Sequence, residues 1–116
     1  MPFWYSTVGT SGGNLADAVL VRATRLTVLT YRNTVTGPNS LLDVGRDMLT
    51  RARPGTSIRL AIETQPLAEC PSCTYFGARQ AAVTVALRDI DRLASAYPAY
   101  AGVAVHNYQA WRALRS

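Results

Sequence analysis

The feature of this sequence that most limits its fold is a repeated alternation of short runs rich in β-branched and aromatic residues with longer segments of helical period. The predicted strands and helices follow one another at residues 3–5, 15–24, 26–31, 41–52, 57–63, 77–96 and 103–106, with a last helix after Asn107. Strands that alternate with helices in this way are normally parallel and are joined by right-handed crossovers.

The length of each strand–helix unit indicates the architecture. The later strands begin near residues 26, 57 and 102, so a unit is about 30 to 45 residues long, against about 31 in a (β/α)8 barrel of about 250 residues. We therefore predict a single α/β domain over residues 1–116, with four consecutive β-α units and parallel strands, which amounts to half of a (β/α)8 TIM barrel. The alternative is an open flavodoxin-like sheet, for which residues 9–13 are a weak phosphate-loop candidate.

The predicted strand at residues 57–63 alternates regularly, which allows its two faces to be assigned. The face expected to pack against helices carries Ile58, Leu60 and Ile62. The opposite face ends in Glu63, and the same alternation ends the neighbouring strands in Tyr31 and His106. Taken alone, each of the three has a structural alternative, such as a pairing of Glu63 with Arg59 or Arg32. The carboxyl ends of parallel strands, however, line the ligand sites of barrels and open α/β sheets, so we expect the three side by side on one rim.

Charge and hydropathy argue against two classes of partner. The chain carries twelve arginines, no lysine and seven carboxylates, for a net charge of +5. The arginines are scattered singly, without the basic and aromatic interleaving that binds nucleic acids, and no nucleic-acid partner is expected. No stretch approaches the ~20 uncharged apolar residues of a membrane span, and residues 1–14 lack the basic start of a secretory signal. We expect no membrane partner, and the compartment stays open.

The two cysteines form one Cys70-Pro71-Ser72-Cys73 pair. A single C-x-x-C is half of a four-ligand zinc site, and the chain has no second pair. A redox motif is an alternative, because the long predicted helix begins soon after Cys73 and a helix N-terminus favours a thiolate. A loop disulfide and two free thiols are the other readings of the pair.

Four segments carry a resemblance to a known family: Pro2–Tyr5, Val28–Asn33, Ala61–Gln65 and Tyr100–Tyr108. Together they resemble the C-terminal half of a poorly characterised bacterial TIM-barrel family, which is itself remotely similar to chitinase-type glycoside hydrolases. The resemblance implies that this chain begins within or just after the fifth strand of such a barrel and lacks the first four strands.

The sequence also departs from that family. Residues 29–32 would take the place of the Met-x-Tyr-Asp pattern that ends the sixth strand, with Arg32 where the family has Asp. His106 would replace the Trp that ends the eighth strand. The Asp-x-x-Asp-x-Asp-x-Glu motif of the fourth strand, which holds the catalytic acid, does not occur here.

The leading hypothesis is therefore a carbohydrate-active, glycoside-hydrolase-like fragment with its sugar cleft at the carboxyl ends of the strands. Glu63 is the candidate catalytic carboxylate, and Trp4, Tyr31, Arg32 and His106 are candidate substrate-binding residues. Glycoside hydrolysis generally needs two carboxyl groups ~5 to 9.5 Å apart. Because only Glu63 is placed at the cleft, we expect the chain not to be catalytically competent alone.

Two alternatives come from other classes of function. The first is a non-catalytic assembly module, because half a barrel leaves two unpaired strand edges that favour a homodimer or a complementary half-barrel partner. The second is a metal-dependent hydrolase that uses His106 and Glu63, with Cys70 or Cys73 as a further ligand. Two confident ligands are too few for a catalytic zinc site, which takes three and a water, so neither a metal nor another cofactor is expected.

Overall fold

The computed structural model describes residues 1–116 and contains one parallel sheet with helices against it. The strands are β1 (Gly9–Thr10), β2 (Gly13–Asn14), β3 (Arg25–Leu29), β4 (Ser57–Glu63) and β5 (Tyr100–His106). The helices are α1 (Leu15–Leu20), α2 (Leu41–Arg51), α3 (Gln80–Ala94) and α4 (Tyr108–Ala113), with 3-10 turns at Phe3–Thr7 and Pro71–Cys73. The parallel sheet has the order β3-β4-β5, whereas β1 and β2 form a separate antiparallel pair.

The prediction of half a TIM barrel is wrong. The parallel sheet has three strands, and the predicted first strand at residues 3–5 is a 3-10 turn. Only the residues before it pair with β3: the Leu29 N–H donates to the Met1 carbonyl at 2.8 Å, and Pro2 forms an isolated bridge with Leu29. Proline has no N–H to continue a ladder. The chain therefore leaves the sheet after Pro2, and four consecutive β-α units do not form.

Three helices begin at polar residues whose side chains cap the first turn. The side chains of Asn14, Ser40 and Asn107 accept hydrogen bonds from backbone N–H groups three residues later, at 2.9, 3.3 and 3.0 Å. Such caps satisfy N–H groups that have no partner within the helix. The third cap, Asn107, directly follows β5, so α4 begins immediately after the strand that carries His106.

The hydrophobic core lies on one face of the parallel sheet, between the strands and the helices. The three apolar residues of β4 assigned to this face from their alternation, Ile58, Leu60 and Ile62, are fully buried and belong to the core. From the helices, Leu41 and Met48 of α2 join it, as do Val83 and Ile90 of α3. The correct β4 register therefore follows from the alternation of its sequence.

The opposite face of the sheet has no such layer. Strand pairing places Leu29, Ala61 and Ala104 side by side on this face, and none of the three belongs to or packs against the core. Ala61 is nonetheless only 2% exposed, although it is the one buried apolar residue outside the core cluster. The centre of the face that carries Glu63 and His106 is thus formed by one leucine and two alanines, outside the core that the helices cover.

No helix in the structure has the length and apolar character required to cross a lipid bilayer.

We expect Leu60→Ala to lower the free energy of unfolding by about 2–5 kcal/mol, because it leaves a cavity between α2 and the centre of the sheet. Leu60 is fully buried and lies against Gly45, whose close approach leaves little room for relaxation. Chemical denaturation measures the change. The matched control is Val85→Ala, at a side chain that is 55% exposed on α3, with an expected loss below about 0.5 kcal/mol. Equal losses in the two variants would contradict this assignment of the core.

Candidate functional site

The parallel pairing of β4 and β5 brings together two of the residues predicted to share a rim. Glu63 and His106 are register partners at the carboxyl ends of their strands. The His106 Nδ1 lies 3.1 and 3.0 Å from the two carboxylate oxygens of Glu63. The Tyr31 ring stacks at 30° to the imidazole with a centroid separation of 6.4 Å. Tyr31, Glu63 and His106 therefore form one cluster, which we call the rim cluster.

The Glu63 carboxylate is occupied by the protein itself. Its Oε1 accepts hydrogen bonds from the backbone N–H groups of Thr64 and Gln65, both at 2.9 Å, in addition to the contact with His106. Only 4% of the residue is exposed. A carboxylate with this many internal donors stabilises the turn after β4 and orients the imidazole. The geometry thus makes Glu63 a positioning residue for His106.

His106 is the member of the cluster that solvent can reach. Its side chain is 53% exposed, and Nδ1 faces the Glu63 carboxylate. A carboxylate accepts hydrogen bonds, so a neutral imidazole places its proton on Nδ1 and leaves Nε2 as an acceptor. The peptide bond between His106 and Asn107 is cis. The contact with Glu63 therefore leaves an oriented imidazole nitrogen at the surface, and this group can accept or donate a proton.

Tyr31 adds a neutral hydroxyl beside this imidazole. Partial burial, and secondarily the negative charge of Glu63, raise the pKa of Tyr31 above its ordinary value. Both effects disfavour the phenolate. The phenol therefore keeps its proton at neutral pH and can donate as well as accept a hydrogen bond.

Arg32 lies at the same end of the sheet, but His106 is not among its hydrogen-bond partners. Its Nη1 donates to the Tyr31 carbonyl at 2.8 Å and lies 3.6 Å from the Cys73 Sγ, while Nη2 donates to the Asn39 Oδ1 at 3.3 Å. The guanidinium carbon also lies 5.0 Å from the centre of the Phe3 ring. The contacts of the Arg32 side chain are thus with the Tyr31 backbone, the Asn39 and Phe3 side chains and the cysteine loop, and not with the His106 imidazole.

Trp4 is the sequence-predicted residue with the least connection to the cluster. Its side chain is exposed, and its ring contacts Tyr5 edge-to-face at 5.2 Å. Neither Tyr31 nor His106 is among its aromatic contacts. The substrate-binding role expected for Trp4 stays a prediction.

Two threonines that the sequence analysis did not single out hold the strand ends in place. Thr64 donates through Oγ1 to the His106 carbonyl at 2.8 Å. Thr74 donates to the carbonyls of Glu63 and Gln65, at 3.2 and 2.6 Å. Both residues are buried; Thr64 bridges strand ends 42 residues apart, whereas Thr74 closes the loop of 9 to 11 residues after β4. Nothing in the local sequence pattern distinguishes them from ordinary loop threonines.

Cys70 and Cys73 are joined in a disulfide within the loop after β4. This loop is bonded to the segment after β3, because Asn33 donates its backbone N–H to the Ser72 carbonyl at 2.9 Å and its side-chain amide to the Pro71 carbonyl at 3.3 Å. The disulfide loop therefore bridges the residues that follow β3 and β4, next to the rim cluster.

The main hollows of the surface lie away from the rim cluster. One of about 470 Å³ opens at the amino end of the strands, between the turn after α2 and the segment Tyr97–Ala99. Another, of about 310 Å³, is lined by Leu87, Val105, Tyr108 and Trp111 beside β5. No group of three or more His, Cys, Asp or Glu residues is arranged to hold a metal ion.

Comparison of the chain with protein-family models, with curated proteins and with solved structures finds no match.

We predict that the neutral form of His106 carries its proton on Nδ1, and that Glu63→Gln abolishes this preference, because an amide can donate to the ring nitrogen as well as accept from it. His106 is the only histidine, so its two ring ¹⁵N resonances report the tautomer without ambiguity. The control is Glu69→Gln, which removes an exposed carboxylate from the neighbouring loop and leaves the tautomer unchanged. An Nε2-protonated ring in the parent chain would contradict the geometry described above.

Proposed function

We propose that the rim cluster binds a small hydroxylated ligand of the sugar class. The observation that carries the proposal is the Glu63–His106 pair with the Tyr31 ring stacked beside it. The imidazole Nε2 and the Tyr31 hydroxyl supply a fixed acceptor and a donor, and the tyrosine ring adds an apolar face. Sugars combine hydroxyl groups with apolar C–H faces, and sites for such ligands pair a few placed polar groups with aromatic surface.

Binding is a better proposal than glycoside hydrolysis. Hydrolysis of a glycosidic bond generally requires two carboxyl groups at the scissile bond, one of them acting as an acid. Glu63 is buried and its oxygens are engaged by Thr64, Gln65 and His106. The other carboxylate of this region, Glu69, is exposed in the cysteine loop. The chain therefore offers no pair of accessible carboxyl groups facing one ligand at the rim.

A metal-dependent hydrolase is a weaker candidate still. His106 and Glu63 contact each other, and the two cysteines are bonded together. A catalytic zinc site takes three protein ligands, and the residues around the rim do not supply a third.

The sugar proposal is tested by following the His106 imidazole resonances while chitotriose or cellotriose is added. We expect saturable shifts with one of the two sugars. In Tyr31→Phe we expect the dissociation constant to be about threefold to tenfold larger, because one hydrogen bond is lost.

The matched control for that variant is Tyr97→Phe, at the hollow on the opposite end of the strands, where the same change leaves the affinity unaltered. Imidazole resonances that do not move up to the solubility limit of either sugar would overturn the proposal. Equal weakening in both variants would place the ligand elsewhere.

A second candidate function, self-assembly, is favoured by the edge of the sheet. The outer edge of β3 is paired with Met1 and Pro2, whereas β5 has no neighbour on its outer side. Residues 100–105 of β5 carry no charge and no proline, and natural proteins usually protect such an edge with one or the other. The apolar hollow lined by Leu87, Val105, Tyr108 and Trp111 lies alongside.

We propose that a second copy of the chain pairs with this edge, β5 against β5 in antiparallel orientation. Such a pairing is symmetric, so the β5 edge of each copy supplies backbone donors and acceptors to the β5 edge of the other. The charges that give each copy its net +5 are absent from residues 100–105. Two copies can therefore approach here without placing like charges against each other.

Light scattering tests this pairing. We expect a species of twice the 12.6 kDa chain mass and a monomer for Ala101→Lys, which puts a charge at an exposed position of β5. Ala82→Lys, at an exposed position of α3, adds the same charge away from the edge and should leave the dimer intact. A parent chain that is monomeric at its highest soluble concentration would overturn the pairing.

A further inference from the structure

The Arg32 guanidinium lacks an anionic partner. The ion pairs of the structure join Arg51 with Asp17 and Asp47, Arg92 with Asp89, and His106 with Glu63. The acceptors that Arg32 contacts are the Tyr31 carbonyl, the Asn39 side-chain oxygen and the Cys73 sulfur, all uncharged. Its Nε is buried and has no hydrogen-bond partner. A partly buried cation with an unused donor is costly unless an anion joins it.

Reduction of the disulfide would create that anion. The Cys73 Sγ lies 3.6 Å from the Arg32 Nη1, so a thiolate at Cys73 would form a charge-assisted contact with the guanidinium. A neighbouring arginine lowers the pKa of a thiol, and whatever stabilises the thiolate favours the reduced over the oxidised pair. The only charged residue close by in the loop itself is Glu69, whose side chain is exposed, and the Glu63 carboxylate is engaged elsewhere.

We propose that Cys70–Cys73 is a redox-active disulfide that exchanges electrons with a thiol-class reductant and that Arg32 stabilises its reduced form. The external thiolate attacks the Cys70 sulfur, forming a mixed disulfide, and the Cys70–Cys73 bond breaks with its electron pair on Cys73. Cys73 then leaves as a thiolate beside Arg32, since the thiol of lower pKa is the better leaving group.

A second external thiol completes the exchange. Its thiolate attacks the sulfur of the bound reductant and releases the Cys70 thiolate, which takes up a proton. Two external thiols have then become one disulfide, and the cysteine pair has gained two electrons. Both cysteines are half-buried rather than enclosed, and the Pro71 and Ser72 side chains between them are exposed. The loop therefore offers access to an attacking thiol.

The experiment equilibrates the full chain with glutathione at fixed ratios of its reduced and oxidised forms, then traps free thiols with a maleimide that shifts the mass. The chain has only two cysteines, so the redox state is read directly. We expect full, reversible reduction with the fold retained by circular dichroism. We also expect Arg32→Gln to make reduction about tenfold less favourable, as one pKa unit on the leaving thiol implies. Arg59→Gln is the control, because it removes the same charge at an exposed position of β4.

A second measurement does not depend on a variant. In the reduced parent chain, the pH dependence of alkylation, with each cysteine identified by tandem mass spectrometry, gives the two thiol pKa values. We expect Cys73 to titrate below the ordinary ~8.5 of a cysteine and below Cys70. Ordinary pKa values at both sulfurs, equal effects of Arg32→Gln and Arg59→Gln, or a chain that unfolds on reduction would each overturn the proposal.

Discussion

The structure depends on the parallel ladder that β4 forms with its two neighbours. Leu60 lies opposite Val28 on one side and Val103 on the other, so burial of one strand face sets the positions of three strands together. A slip of one residue in a ladder turns each side chain to the other face. The ladder therefore carries the core on one face, and on the other it places Glu63 beside His106, 43 residues apart in the chain.

Those parts of the fold in which local and tertiary preferences agree could be predicted from the sequence. The sequence predicts a helix at residues 41–52, and α2 occurs at Leu41–Arg51; β4 has its predicted bounds. Both segments combine a clear period with a polar cap or a turn at their ends. The predicted first strand at residues 3–5 does not form. The strand propensity of its three aromatic residues is weak evidence, because the same residues are accommodated in a 3-10 turn. The local structure of these residues depends on a nonlocal contact: only Met1 and Pro2 pair with the edge of β3.

The candidate site divides in the same way. That Tyr31 and His106 lie on one rim follows from the alternation within the strands together with their common direction, and the structure stacks their rings. The sequence does not predict that a Glu63 oxygen accepts hydrogen bonds from the backbone of the next turn. The alternation of residues in a strand carries no information about the path of the loop that follows it. The contact between Arg32 and Cys73 spans 41 residues and arises from the folding of the cysteine loop toward the end of β3. No local pattern reports such a contact.

The hydrogen bonds at both ends of the cysteine loop have one more consequence. Asn33 ties the loop to the residues after β3, and Thr74 ties it to the backbone carbonyl of Glu63, whose carboxylate orients His106. A hydrogen-bonded framework of this kind gives two events a route by which they can be linked, and any thermodynamic linkage is reciprocal. If reduction of the disulfide changes the affinity of the rim cluster for a ligand by some factor, binding of that ligand must change the reduction equilibrium of the disulfide by the same factor. Ligand binding at the rim cluster would then depend on the redox state of Cys70 and Cys73, and that redox state would depend on whether ligand is bound.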